Sequence, residues 1–196
     1  MTDPSQSPGS LSIACQQVLQ QDASVFSIQW MDLPSQLATG LTPELLLQKY
    51  LDHIRRFTGT LVRPVQLGRA VEFRFWHSRK CLLRFDASEA DGTSLALRID
   101  GGLLVQQAFC RQGELVFSCE PKDGLVRVGL QLSDYCPLLL GSRTPSLVHK
   151  WFYRLTQAAI HKVVTVRFLT RLYRERAGQD ACCRVVRVRV REGDPL

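Results

Sequence analysis

The chain has 196 residues, 45% of them hydrophobic, and a formal net charge of +7. This length and apolar content lie within the range of one globular domain with a sizeable core. No apolar run approaches the roughly 20 residues of a membrane span, and residues 1–9 lack the basic and apolar parts of a signal peptide. We therefore expect a cytoplasmic protein with a disordered leader at residues 1–9 and a single α+β domain at residues 10–196.

Seven cysteines occur without regular spacing and without a Cys-x-x-Cys pair. This pattern argues against a disulfide framework and against a zinc site. We interpret the cysteines as reduced, mostly buried thiols. The adjacent Cys182 and Cys183 have no histidine near them in sequence, so a redox or soft-metal site there is the less favoured reading. No cofactor and no metal ion are predicted.

Three elements are predicted before residue 60. Ser10 is placed to cap a short helix, with apolar residues at helical spacing as far as Leu19. In residues 25–30, Phe26, Ile28 and Trp30 alternate with smaller or polar residues, which is typical of a strand with one apolar face. The Thr42-Pro43-Glu44 sequence then starts a second helix, which stops at Gly59.

From Thr60 to Leu132 the hydrophobic period changes to two, with glycine-containing turns at regular intervals, as in an antiparallel meander. Three-residue loops at 90–92, 100–102 and 111–113, followed by a two-residue turn at Asp123-Gly124, would fix the register. All the paired apolar residues would then share one inner face. The predicted pairs, in turn order, are Ala87–Leu95, Phe85–Leu97 and Leu83–Ile99; Ile99–Leu103 and Leu97–Val105; Phe109–Leu115 and Val105–Cys119; and Cys119–Val128, Phe117–Leu130 and Leu115–Leu132.

A long amphipathic helix is predicted for residues 144–176. Thr144-Pro145 provides the start signal, and Gly178 follows the last turn as a stop. The β-branched run from Val163 to Val166 is a weak point, because these residues fit a strand better than a helix. The predicted buried face contains Leu147, Val148, Trp151, Phe152, Leu155, Ala158, Ala159, Val163, Val166, Leu169 and Tyr173.

The basic charge is concentrated at the C-terminal end. Residues 143–196 contain 12 Lys/Arg against 4 Asp/Glu, whereas residues 1–142 contain 13 against 14. A last strand is predicted for residues 184–191, where Val186, Val188 and Val190 alternate with arginines. The arginine face is interpreted first as an edge strand protected from aggregation by charge, and second as a surface for an anionic partner.

These elements make an α+β fold, in which a meander of about six or seven strands packs on a long C-terminal helix, with smaller N-terminal helices and a final edge strand. The order of elements resembles the helix-grip arrangement of START and Bet v 1-like proteins, which often enclose a cavity for an apolar ligand. The resemblance covers residues 25–176 by element order alone, and the final strand departs from it. It implies no site residues.

We therefore expect a non-enzymatic binding protein for a lipid-like or aromatic small molecule, held between sheet and helix. Gln107 is the one polar residue on the predicted inner face, so it either orients the ligand or bonds a neighbouring backbone. The alternative to a cavity is that the bulky inner residues fill the space themselves. The predicted lining consists of Phe73, Phe85, Leu97, Val105, Gln107, Phe117, Trp151 and Leu155.

The second hypothesis is a basic module for an anionic partner, such as nucleic acid, an acidic protein or a membrane surface. No recognised nucleic-acid motif is present, which disfavours it. A homodimer through the long helix or the last strand is left open. The residues of this hypothesis are Arg167, Arg171, Arg174, Arg187, Arg189 and Arg191.

Enzymatic activity is the least favoured reading, because the sequence contains no nucleophile elbow, phosphate loop or paired-carboxylate motif. Of the four histidines, His149 and His161 are twelve residues apart on one predicted helix and too distant to share a metal. His53 is interpreted as a packing or surface residue. His77 lies at a strand end, where a surface role is also favoured.

Overall fold

The computed structural model describes residues 10–22, 24–87, 91–105, 113–136 and 159–196. Ten strands form one sheet, and a C-terminal helix completes a sheet-dominated α+β fold. The elements in chain order are β1 (Ser10–Leu19), β2 (Val25–Pro34), α1 (Ser35–Ala38), α2 (Pro43–Phe57), β3 (Val62–Leu67), β4 (Ala70–Phe75), β5 (Cys81–Ala87), β6 (Ser94–Gly101), β7 (Glu114–Lys122), β8 (Leu125–Tyr135), α3 (Ala159–Ala177), β9 (Cys182–Arg187) and β10 (Asp194–Pro195).

The α+β class and the C-terminal helix were correctly predicted, but the strand number was too low. Along the sheet the order is β10-β1-β2-β8-β7-β6-β5-β4-β3, and β9 pairs with β1 beside β10. Every pair is antiparallel except β1 with β9, which is parallel. Of the strands outside the run β3–β8, β2 and β9 correspond to strands predicted separately, whereas β1 and β10 were not predicted as strands.

The helix predicted from Ser10 to Leu19 is wrong, since this segment is strand β1. Residues Cys15–Leu19 are buried without interruption, because β1 is covered on both faces. A strand buried on both faces loses the alternation of period two, and a short apolar run then cannot be told from a helix by its pattern.

Strand β2 was correctly predicted, but its inner face was assigned to the wrong residues. Ser27 and Gln29 are fully buried on the side of Met31 and Leu33. Trp30 is half-buried on the opposite side, where the Arg127 guanidinium lies 5.0 Å from its ring centroid. The more apolar set of the strand therefore faces away from the core.

The meander turns were predicted with mixed success. The Asp123-Gly124 turn gives the predicted pairs of Cys119 with Val128, Phe117 with Leu130, and Leu115 with Leu132. The register of β5 and β6 differs from the predicted one, since Ala87 pairs with Leu97 and Phe85 with Ile99. Because this slip is two residues, the same side chains still face the core.

The hairpin predicted at residues 100–102 is wrong. Strand β6 pairs with β7, which places Leu97 opposite Leu115 and excludes the predicted pairing of Val105 with Cys119. After Gly102 the chain folds back over β5, where the backbone N–H groups of Leu103 and Leu104 donate to Cys81 and Leu82. The prediction for Phe109 lies outside the described residues.

Helix α3 confirms the later part of the predicted long helix, while residues 144–158 lie outside the described residues. The β-branched run from Val163 to Val166 is helical. The helix ends at Ala177, and Gly178 follows it with a φ of +110° and donates its N–H to the Arg174 carbonyl. The buried stripe is turned from the predicted one, since Val163 is 43% exposed. Its members are Val164, Thr165, Phe168, Leu169, Leu172 and Tyr173.

The two longer helices pack on one face of the sheet. Thr42 caps α2 by accepting a hydrogen bond from the Leu45 N–H, as its sequence predicted. The Tyr50 ring of α2 makes edge contacts with Phe117 of β7 and Phe168 of α3, at centroid distances of 5.4 and 5.2 Å. No helix in the described part of the chain is long and apolar enough to span a membrane.

Candidate ligand-binding site

A cavity of about 290 Å³ lies between the sheet and the helices α2 and α3. Helix α2 contributes Tyr50 and Ile54, helix α3 contributes His161 and Val164, and the sheet provides most of the remaining wall. The surface is chiefly apolar, which suits a ligand that water solvates poorly. The further lining residues are Gln17, Val25, Thr58, Val62, Phe73, Leu83, Phe85, Ile99, Leu104, Leu115, Leu132 and Tyr135.

Several polar groups of the wall are already bonded within the protein. The Tyr135 hydroxyl donates to the Leu104 carbonyl at 2.8 Å, and the Thr58 hydroxyl donates to the Ile54 carbonyl at 2.8 Å. The side-chain N–H of Gln17 donates to the Ser27 hydroxyl at 3.0 Å. These bonds lower the cost of facing an apolar ligand, because the donors are not left unpaired.

Two titratable groups of the wall, His161 and the Tyr50 hydroxyl, are uncharged near neutral pH. Desolvation by burial lowers the pKa of His161 to about 4. Burial likewise raises the pKa of the Tyr50 hydroxyl to about 12. Burial disfavours the charged form of each group, so the cavity presents a neutral imidazole and a neutral phenol.

The predicted lining residues fall into three groups. Phe73 and Phe85 do line the cavity, and their rings meet edge to face at 5.3 Å. Leu97, Phe117 and Val105 are buried in the core cluster but lie outside the cavity wall, although Leu104 next to Val105 lines it. Gln107, Trp151 and Leu155 are outside the described residues.

Beside the cavity, β1 and β2 carry a buried polar cluster that the sequence analysis missed. Gln29 donates to the Ser27 hydroxyl at 2.8 Å and to the Cys15 sulfur at 3.7 Å, while its own Oε1 has no partner among the described residues. Gln17 joins this cluster to the cavity wall. One signal is the pair Gln16-Gln17 within the apolar residues of β1, which was predicted as a helix. The other is Ser27 and Gln29 in β2, which the alternation assigns to the solvent side.

The predicted anion-binding arginines belong to two separate clefts. Arg167, Arg171 and Arg174 of α3 line one of about 500 Å³, in which Arg171 pairs with Glu175 at 3.0 Å. Arg187, Arg189 and Arg191 line another of about 500 Å³, which we call the basic cleft, together with Lys162 of α3. The six predicted arginines therefore line two different clefts, three in each.

The valine face predicted for the last strand is not buried. Strand β9 ends at Arg187, and Val186 and Val190 remain 38% and 52% exposed. The strand nevertheless lies at the edge of the sheet, as predicted, with its arginines exposed to solvent. Its pairing with β1 leaves its other side without a strand neighbour among the described residues.

His53 packs between α2 and α3, which agrees with its interpretation as a packing residue. It is 7% exposed, and its ring lies 5.8 Å from Phe57 and 5.7 Å from Phe168. Its pKa is lowered, first by burial and then by the nearby charge of Arg171. His77 is exposed, with Arg63 Nη1 at 3.1 Å from its Nδ1.

The cysteines are largely free thiols. Cys15, Cys81, Cys119, Cys182 and Cys183 are free, but Cys136 is disulfide-bonded, so the prediction that every cysteine is reduced is wrong. Burial raises the pKa of Cys183, which makes it a weaker nucleophile than an exposed thiol. The described residues contain no cluster of three or more side chains suited to hold a metal ion.

No protein-family model and no curated protein matches this chain. Among solved structures, the Aha1 dimer from Colwellia psychrerythraea is similar at 13% identity and a TM-score of 0.41, covering 76% of this chain and 93% of that chain. CalU16 from Micromonospora echinospora is similar at 9% identity and a TM-score of 0.39, covering 91% and 78%. Ara h 8.0201 is similar at 13% identity and a TM-score of 0.39, covering 74% and 97%. At such low scores these structures establish neither a family nor a function for the chain.

Proposed function

We propose that this protein binds an apolar small molecule in the cavity between the sheet and helices α2 and α3. The observation that carries the proposal is the cavity of about 290 Å³ among side chains such as Phe73, Ile99 and Leu115. Protein interiors are normally close-packed, so an apolar space of this size marks a place for a ligand. The volume lies just below the roughly 300–1,000 Å³ of typical ligand sites, which suits a small ligand.

The wall also contains a few polar side chains in fixed positions, which supports binding of a specific ligand. Gln17 and His161 face the cavity from opposite layers of the fold, one from β1 and one from α3. A few fixed polar groups in an apolar wall orient a ligand without demanding that it be charged. The proposal therefore covers an aromatic or short-chain compound with at most one or two polar atoms inside the cavity.

Filling the cavity tests the proposal. Leu83 is a half-buried wall residue on β5, so we expect Leu83→Trp to occupy the space and weaken binding of a neutral dye, N-phenylnaphthylamine, by at least about tenfold. Dye fluorescence titration measures the effect. Native mass spectrometry of the freshly purified protein should in addition show extra mass that is lost on denaturation.

The matched control is Leu67→Trp, because Leu67 is an exposed β3 residue away from the cavity wall. It should leave the dye affinity unchanged, and circular dichroism should show both variants folded. Failure of the wild-type protein to bind any neutral apolar dye would contradict the proposal. Equal loss of affinity in both tryptophan variants would also contradict it.

A further inference from the structure

We propose that the ligand is an anionic amphiphile, whose apolar body occupies the cavity and whose single carboxylate or phosphate group binds in the basic cleft. The inference rests on the proposed function and names the chemical class of its ligand. The basic cleft is the space of about 500 Å³ lined by Lys162, Arg187, Arg189 and Arg191.

The basic cleft adjoins the apolar cavity. Gln17 of β1 lines both spaces. On α3, His161 lines the cavity and the next residue, Lys162, lines the cleft. Because the two spaces share Gln17 and are lined by consecutive residues of α3, one ligand can contact both.

Two cations of the cleft have no ion-pair partner among the described residues. Arg189 is bound by both Glu192 oxygens at 2.7 Å, and Arg191 lies over the Phe26 ring at 4.4 Å and 3.9 Å from Asp134. No ion pair within the described part of the chain involves Lys162 or Arg187. These two positive charges are available for an acidic group, for which such charge-assisted bonds are the strong kind.

The wall of the cleft is held in place by a buried side chain. Strands β9 and β10 both pair with the outer edge of β1 and leave residues 188–193 as a loop beside it. Gln16, which is 7% exposed, holds this loop against β1 by hydrogen bonds. Its Oε1 accepts from the N–H groups of Val190 and Arg191 at 2.6 and 2.9 Å, and its Nε2 donates to the Arg191 carbonyl at 2.6 Å. A fixed loop orders little further on binding, which favours affinity.

The charges of the two spaces differ in the way an amphiphile requires. His161 is neutral inside the cavity at physiological pH, because burial lowers its pKa. The positive charge begins one residue later, at Lys162 in the basic cleft. The cavity volume of about 290 Å³ suits one short chain or a small ring system, and is small for a two-chain lipid.

Isothermal titration with two probes of equal chain length tests the inference: decanoate, which is anionic, and decanol, which is neutral, both below micelle formation. We expect the wild-type protein to bind decanoate at least about tenfold more tightly than decanol at low salt. The preference should shrink at high salt, since exposed charges are screened. In the double variant Lys162→Gln/Arg187→Gln, the preference for decanoate over decanol should disappear, while the affinity for decanol should stay unchanged.

The matched control is Arg79→Gln/Lys80→Gln, which removes the same charges from an exposed turn after β4 that lines neither space. It should retain the wild-type preference for decanoate. Decyl phosphate, compared with decanoate, separates the two head groups: whichever binds more tightly identifies the acid that the cleft prefers.

The outcomes separate this inference from the function on which it rests. If neither decanol nor decanoate binds, the proposed function fails and the inference fails with it. If decanol binds and decanoate binds no better, the cavity function stands and the inference is overturned. The inference is also overturned if the cleft variant and the turn control change the preference equally.

Discussion

Buried polar side chains are the least predictable residues of this chain. Ser27 and Gln29 are fully buried, yet sequence alternation assigns them to solvent beside Phe26 and Trp30. Alternation reports only that two faces differ, and the more apolar face is normally the inner one. Here a hydrogen-bonded cluster with Gln17 allows the polar face inside, while arginines cover the aromatic face outside. Such compensation depends on distant residues and is absent from the local pattern.

His161 makes stability depend on pH. Its pKa is lowered from 6.5 to about 4 in the folded protein, so the unfolded chain binds the proton first as pH falls. The contribution is complete above pH 6.5 and is lost progressively between pH 6.5 and about 4. We expect His161→Gln, which cannot titrate, to reduce this loss in the free energy of unfolding by up to about 3 kcal/mol.

Urea denaturation at several pH values measures this change in slope. His77→Gln is the control, because His77 lies in an exposed turn, and it should retain the wild-type dependence. His53 contributes in the same direction, since burial also lowers its pKa, so some dependence remains after the His161 substitution. An unaltered slope in His161→Gln would show that this residue does not titrate as described.

Elements with a local signature were predicted well, and those defined by distant partners were not. The Asp123-Gly124 turn gave the register of β7 and β8, and Thr42 gave the start of α2, because both depend on backbone geometry within a few residues. The prediction of a helix for β1 was wrong, since the loop at residues 188–193 covers its second face where Gln16 bonds to Val190 and Arg191. The hairpin predicted at residues 100–102 was also wrong, because β6 pairs with β7, a strand that lies later in the chain.

Gly102 and Gly124 are needed for different reasons: the first lies close to the backbone of β5, and the second only has a positive φ. Both have positive φ, +122° and +78°. A Cβ at Gly102 would clash with the Leu82 carbonyl group and Leu83 Cα, whereas one at Gly124 would meet no atom within 4 Å. We therefore expect Gly124→Ala to cost about 1 kcal/mol of unfolding free energy and Gly102→Ala at least about 3 kcal/mol.

Chemical denaturation of the two alanine variants gives the comparison directly. Because Leu104 lines the cavity two residues after Gly102, the Gly102 variant should also bind the neutral dye more weakly, while the Gly124 variant should not. Similar stability losses in both variants would mean that φ alone, and not the approach to β5, requires glycine at residue 102.

At the scale of the whole molecule, a sheet-dominated α+β fold with a C-terminal helix was predictable, but the first strand and the cavity were not. Period-two alternation and capping residues indicated a sheet beside a C-terminal helix. Whether that sheet and helix leave a space depends on how side chains from β1, α2 and α3 meet, and no local pattern records this. The same holds for the basic residues, whose sequence suggested one surface and whose positions form two clefts.

The C-terminal strands protect one edge of the sheet. A chain ending at Ala181 would lack β9 and β10 and would expose the outer edge of β1 to pairing with other molecules. We expect this truncation to form oligomers in size-exclusion chromatography at concentrations where the full chain does not. Removal of residues 1–9, which leaves β1 intact, is the control. A monomeric truncated chain would show that the edge does not need this cover.

The pairing of β1 also bears on the order in which the protein can fold during synthesis. Strand β1 leaves the ribosome well before the segment that covers it, since Gln16 bonds to Arg191, 175 positions later. Contacts at such separation form slowly, because a long loop must close first. Between the synthesis of β1 and that of β9 and β10, the nascent sheet therefore has an open edge at β1. The time for which this edge is exposed to misassembly is therefore at least the time needed to elongate the chain between the two segments.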